Sequence, residues 1–167
     1  MIKRVIKRFV LWTKPFVWRL ASAYDIRLER HCHALGSFPL IIEDTPEAAR
    51  HHIPKSVVFN TRSGSITVGK NVVFGWDVLV LAGTHLTYGK AKSAGLDLHH
   101  VPEAGKDISI GEGCYIGSGA ILIGPLRIGE YAAVGAGAVV TKDVSPRTLV
   151  GGCPAKVIKA FDNSNDD

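Results

Sequence analysis

Histidine and cysteine are the side chains that pass protons, attack carbonyls or bind metals near neutral pH. This chain of 167 residues carries seven of the first and three of the second. His31-Cys32-His33 is the densest cluster. Alternate residues in one short stretch, with no second ligand pair at zinc spacing, read as structural rather than metal-binding. Cys32, Cys114 and Cys153 form no spaced disulfide framework, which fits unpaired thiols in a reducing compartment. His85 stands apart: it follows Ala82-Gly83-Thr84, where a regular pattern breaks off. A hydroxyl is a poor nucleophile at pH 7, and a neutral imidazole is the side chain suited to take its proton. The competing reading is a polar corner residue.

The pattern that positions His85 has a period of six. From Ile110 to Ser145, every sixth residue is aliphatic: Ile110, Ile116, Leu122, Ile128, Val134 and Val140. Glycine follows four of them, and the fifth places (Cys114, Ala120, Leu126, Ala132, Ala138, Val144) are apolar and mostly small. The phase continues upstream through Val80, Phe74 and Val68, with Val78, Val72 and Ile66 at fifth places. Six is neither a helical period nor plain strand alternation. It marks a parallel β-helix, in which each hexad is one short strand and a turn, with first and fifth places facing inward. Residues 86–107 break the phase and read as a loop thrown out of the coil. Coils are expected from about Thr61 to Thr84 and from Ile108 to Ser145, a little over three in all. At about 4.8 Å per rung the prism is roughly 15–20 Å tall. So short a prism leaves flat faces exposed, which favours side-by-side packing into an oligomer.

The net charge of +5 is uneven: residues 1–30 carry +6 and the remainder −1. A uniformly basic nucleic-acid binder is disfavoured. No apolar run reaches the roughly 18–20 residues of a membrane span, and Lys14 and Arg19 interrupt what would be the core of a signal peptide. In residues 1–20, Ile2, Val5, Ile6, Phe9, Val10, Trp12, Phe16, Val17 and Leu20 share one helical face and the basic residues take the other, with Pro15 dividing two helices. Such a segment either caps the open end of the β-helix or lies at an anionic membrane surface. The domain reading is a helical segment over 1–56, a β-helix over 57–160 and a polar tail over 161–167. Within it, Leu40-Ile41-Ile42 is a strand or a short helix, Val57–Gly64 an irregular first coil, and the stretch after Gly151-Gly152 a short helix.

Three features together resemble the left-handed β-helix acyltransferases: the hexads, the run Gly135-Ala136-Gly137-Ala138-Val139-Val140-Thr141-Lys142-Asp143, and the ending Gly152-Cys153-Pro154-Ala155-Lys156. Within that family the chain is most similar to sugar O-acetyltransferases of the maltose, galactoside and nodulation type, and to relatives from surface-polysaccharide biosynthesis. The resemblance covers about residues 57–160. It implies a left-handed coil, a homotrimer, and acetyl-CoA as donor in the cleft between neighbouring prisms, with no metal required. The implied acceptor is a sugar or glycan hydroxyl, in the cytoplasm. The basic amphipathic segment extends this to a lipid-linked acceptor met at the inner membrane face.

By the same resemblance His85 holds the place of the catalytic base. Ser118, Ala136, Gly137, Thr141, Lys142, Lys156 and Lys159 match acetyl-CoA contacts, and Tyr115 stands where many relatives have tryptophan, at the acceptor or thiol end. The small residues let the pantetheine arm approach the backbone, while the lysines meet phosphates. Two departures stand out. Leu86 follows the histidine where relatives often have an acidic residue, and Gly75-Trp76-Asp77 replaces a hexad that often holds a second histidine and an asparagine. Asn60 and Asp77 are therefore the candidates for orienting the imidazole, each also readable as a turn residue. His99 and His100 are either acceptor contacts or a solvated pair. Competing readings are N-acetylation of an amino sugar or other amine, a zinc carbonic anhydrase on the same fold, and a non-catalytic scaffold. The anhydrase needs three converging histidines, and only His85 lies on a coil.

Overall fold

The computed structural model describes residues 33–83, 85–97 and 104–161. The amphipathic segment, His31-Cys32, the pair His99-His100 and the acidic tail lie outside the described residues. Among the described residues no helix is long and apolar enough to cross a membrane.

The hexads fold as their spacing predicts. All nine apolar openers from Val68 to Val140 are buried, as are all nine fifth places, none more than 6% exposed. Places five and one lie two residues apart on an extended strand, so both point to the same side, and the place between them points out. Three parallel sheets result. The first orders β1 (His33–Gly36), β3 (Val58–Thr61), β6 (Leu79–Leu81), β9 (Ile121–Ile123) and β12 (Val139–Val140). The second stacks β2 (Leu40–Ile42), β4 (Ile66–Val68), β7 (Ile108–Ile110) and β10 (Leu126–Ile128), and the bridge from Ile128 to Val144 adds a rung. The third stacks β5 (Val73–Phe74), β8 (Tyr115–Ile116), β11 (Ala133–Val134) and β13 (Thr148–Gly151), then β14 (Lys156–Ala160). The chain visits the three in rotation, and the apolar side chains stack register on register: Phe74 on Ile116 on Val134 on Val150.

Glycine after the opener is required by crowding at the corner. A Cβ on Gly117 would stand 2.5 Å from the Ala136 nitrogen and 2.8 Å from the Val134 oxygen, both backbone of the next coil. The left-handed backbone falls two places later and is taken by Asn71, Asp77 and Tyr131 as well as by glycines.

Four readings of the sequence need correction. The first is the start of the coil: Leu40–Ile42 is a strand, one of the two forms open for it, and with β1 it belongs to the parallel sheets, paired to β4 and β3. The β-helix therefore begins well before residue 57, and the described rungs exceed the three-odd coils counted from hexads. Between β2 and β3 lies α1 (Pro46–His52), which starts at the Thr45 cap, whose Oγ1 accepts the Ala48 N–H at 3.2 Å. Second, Val58–Thr61 is a regular strand, and the irregularity follows it. Phe59 pairs with Val80, 21 residues on, where a regular coil takes 18 as from Leu122 to Val140. The excess is absorbed around Arg62–Ser65, with Thr61 and Ser63 buried. Third, residues 156–160 are no helix. They reverse at Gly151-Gly152 and pair antiparallel to β13, which would otherwise end the third sheet with unpaired backbone groups. Fourth, the excursion holds its own short helix, α2 (Tyr88–Ser93), with Ala91 fully buried.

Candidate functional site

Turns between sheets stack into edges of the prism, and two edges carry the residues of interest. The edge from the third sheet to the first stacks Gly75-Trp76-Asp77 on Gly117-Ser118-Gly119 on Gly135-Ala136-Gly137. Gly119 N–H donates to the Trp76 oxygen (2.8 Å) and Gly137 N–H to the Ser118 oxygen (2.9 Å), so the turns are locked rung to rung. The Ser118 hydroxyl accepts the Trp76 N–H at 3.1 Å. Ser118, Ala136 and Gly137 are exposed, and their small side chains leave the backbone approachable. Tyr115 faces outward from the adjoining sheet, 52% exposed, between Val73 and Ala133. Lys156 and Lys159 lie on β14, the last rung of that sheet, and the Lys159 ammonium sits 5.0 Å from the Phe161 ring.

The next edge, from the first sheet to the second, carries His85, Thr141 and Lys142. His85 is exposed and follows β6 where the excursion starts. Val80 pairs with Leu122, 42 residues on, against 18 in an uninterrupted coil, so the whole insertion leaves from this corner. Asn60 is brought beside Gly83, two residues before His85, where its amide bonds the backbone. Its Oδ1 accepts the Arg62 N–H at 3.1 Å, and its Nδ2 makes a long 3.5 Å contact to the Gly83 oxygen. Asn60 thus holds the strand end from which His85 projects.

Asp77 lies at the other end of β6 from His85. It has the positive φ (59°) of a turn residue, and its N–H donates to Ser56 Oγ at 2.8 Å. Three strand residues and both corners separate it from His85, so within one chain the two do not meet. The expected site is split in the same way. Ser118, Ala136, Gly137 and Tyr115 stand on one side of the first sheet, and His85, Thr141 and Lys142 on the other. Trp76 was legible only as a departure from the usual hexad. In the structure it is the most exposed aromatic side chain on the first edge, at 66%.

Two carboxylates brace this arrangement. Asp107 accepts from Ser65 N–H and Oγ, both at 2.7 Å, which holds its carboxyl below the usual range and ties the end of the excursion to the preceding coil. Burial pulls Asp44 upward, but hydrogen bonds from His52, Asn71 and Thr45 outweigh it and leave its carboxyl lowered. The Cys114 thiol is buried in the core, donating to the Gly129 oxygen at 3.0 Å, and burial pushes its pKa up to about 11. It is structural and inert.

A stack of hexapeptide coils with an exposed histidine at its one excursion defines a class, and comparison with known proteins agrees. Residues 107–142 match the family "Bacterial transferase hexapeptide (six repeats)". "Putative acetyltransferase SACOL2570" of Staphylococcus aureus (strain COL) is 33% identical over 138 residues, covering 74% of this chain and 69% of that protein. The chain belongs to this hexapeptide-repeat transferase family. Galactoside O-acetyltransferase of Escherichia coli (strain K12) is 28% identical over 99 residues, 59% of this chain and 46% of the relative. A Schizosaccharomyces pombe relative, "Putative acetyltransferase C18B11.09c", is 42% identical over 98 residues, and the match spans 44% of its length. Against these two the chain thus spans less than half of the relative. The fold matches a Vibrio cholerae hexapeptide-repeat acetyltransferase, VCA0836, solved with acetyl coenzyme A, at TM-score 0.53 and 22% identity over 86% of this chain and 78% of that one.

Proposed function

We propose that this protein is an acetyl-CoA-dependent O-acetyltransferase acting on a sugar hydroxyl, in surface-polysaccharide or glycan biosynthesis. The observation that carries it is the edge of stacked small residues, Ser118-Gly119 on Ala136-Gly137, with Lys156 and Lys159 on the last rung. An extended pantetheine arm fits such a groove, pairing with backbone groups, while lysines meet the phosphates. That solved relatives were captured with acetyl coenzyme A or coenzyme A supports the donor.

In this reading His85 Nε2 or Nδ1 takes the proton of the acceptor hydroxyl as its oxygen attacks the thioester carbonyl. The new C–O bond forms, the C–S bond breaks, and the imidazolium returns its proton to the departing thiolate. Backbone N–H groups at the edge would receive the developing oxyanion. Because one chain places His85 and the pantetheine groove on different edges, the proposal includes a homotrimer of left-handed coils in which one copy's His85 faces its neighbour's groove. Asp77 could then orient an imidazole only across that interface. The protein would work in the cytoplasm, with residues 1–20 touching the membrane. Equal liposome sedimentation of full-length and 1–20-deleted protein would sink that membrane contact.

The test is chromatographic measurement of coenzyme A released from acetyl-CoA with a panel of glycan acceptors, beside His85→Ala. Acceptor-dependent release is expected to fall by about 10²–10⁴-fold in the variant. Unchanged release would remove His85 from the mechanism. Mild alkali distinguishes the bond made, since an ester product hydrolyses and the amide of an N-acetylated amino sugar survives.

A further inference from the structure

Trp76 has no part in the reading so far, yet it occupies a defined place. Single exposed apolar residues are common on protein surfaces and explain nothing alone. Here, however, the backbone beneath the indole is held on every side. The Trp76 N–H donates to Ser118 Oγ, its oxygen accepts from Gly119, and the following residue is fixed in a left-handed turn whose N–H reaches Ser56. Gly75 before it is crowded against Ser118, where an added Cβ would stand 2.4 Å from the Ser118 nitrogen. A rigid corner therefore presents an indole that is 66% exposed and makes no hydrogen bond or ring contact among the described residues.

Its height on the prism carries the inference. The edge runs from the β14 lysines through Ala136 and Ser118 to Trp76, in steps of about 4.8 Å per rung. If the phosphates sit at the lysines, the thioester points toward Trp76. Trp76 and His85 flank the same strand, β6, so they stand at one level, and in the homotrimer proposed above the base of a neighbouring copy would reach this edge at the level of the indole.

We propose that Trp76 is the acceptor platform: the apolar C–H face of a pyranose ring lies on its indole, presenting a hydroxyl to the neighbouring copy's His85. Aromatic side chains with an open face recognise sugars in this way because the ring offers C–H groups on its face and hydroxyls at its rim. An amino acid such as serine has no such face, so the platform selects a carbohydrate ring. This rests on the sugar-acetyltransferase reading above.

The test uses the full chain with methyl β-D-galactopyranoside, methyl β-D-glucopyranoside, methyl 2-acetamido-2-deoxy-β-D-glucopyranoside and L-serine. Wild type is compared with Trp76→Ala and Trp76→Phe. For the pyranoside turned over fastest, Trp76→Ala should raise the acceptor KM about tenfold and leave the acetyl-CoA KM within about twofold. Trp76→Phe should recover most of the loss, and light scattering should give one mass for all three proteins. An unchanged acceptor KM, or a loss that comes with a changed mass and is not relieved by phenylalanine, overturns the platform and leaves the transferase reading standing. Turnover of L-serine alone, or of no probe, overturns the sugar reading and the platform with it.

Discussion

Gly117→Ala is expected to destabilise the protein far more than adding one methyl group suggests. The new Cβ would lie 2.5 Å from the Ala136 nitrogen and 2.8 Å from both the Gly135 carbon and the Val134 oxygen. All three are backbone atoms of the neighbouring coil, so no side-chain rotation relieves the contact. Ordinary contact begins at 3.4 Å, so the coils would have to separate locally by about 0.9 Å. The bonds from Gly117 N–H to the Val134 oxygen (2.8 Å) and from Gly137 N–H to the Ser118 oxygen (2.9 Å) cross that gap and would stretch beyond bonding distance. Losing one or two backbone bonds, with the strain of overpacking, amounts to about 2–4 kcal/mol, offset by ~0.4–1 kcal/mol from a less flexible unfolded chain. Gly89→Ala is the control. It lies in α2 with nothing within 4 Å of the added Cβ, and should be neutral or stabilising by up to ~1 kcal/mol. Urea unfolding followed by circular dichroism, at one fixed protein concentration, compares the two. Equal stabilities within about 0.5 kcal/mol would refute close coil approach as the reason for glycine at this place.

The Cys114 thiol keeps its proton in the fold up to about pH 11, against an ordinary value of 9.0. The native state therefore holds a proton that the unfolded chain gives up, so stability is full below pH 9 and falls as pH rises toward 11. Unfolding curves of wild type and Cys114→Ala should converge over that range, and parallel curves would contradict it. Asp107 works in the opposite direction. Its lowered carboxyl stabilises the fold above its ordinary value of 3.8, and this is lost as pH falls through the depressed one. Asp107→Asn should be less stable than wild type at pH 7, with the difference closing below pH 4 in acid titration followed by fluorescence; a difference independent of pH would count against it.

The candidate site was partly legible. Its residue types could be read, because an exposed histidine at a break in the hexads is a local signal. Their grouping could not, because it depends on which corner each turn occupies. Thr141 and Ala136 are five residues apart, yet β12 carries the chain from one edge to the next between them. Asn60 is a sequence candidate for orienting the imidazole, and its contacts to Arg62 and Gly83 are set by coil stacking rather than by sequence proximity. Trp76 attracted notice only as a substitution, and its exposure became visible once Ser118 and Gly119 were seen to hold the backbone beneath it.

The six-residue period by itself determined the core. An extended strand puts residues two apart on one side, so apolar first and fifth places must bury wherever the coil closes, and each of them does from Ile66 to Val144. The tertiary structure alone decided the ends. His33–Gly36, Leu40–Ile42 and Lys156–Ala160 carry no hexad signature, and each becomes a strand because the terminal rung beside it offers unpaired N–H and C=O groups. Burial repeats locally and is written in the chain, whereas the pairing of an edge depends on what lies next to it in space.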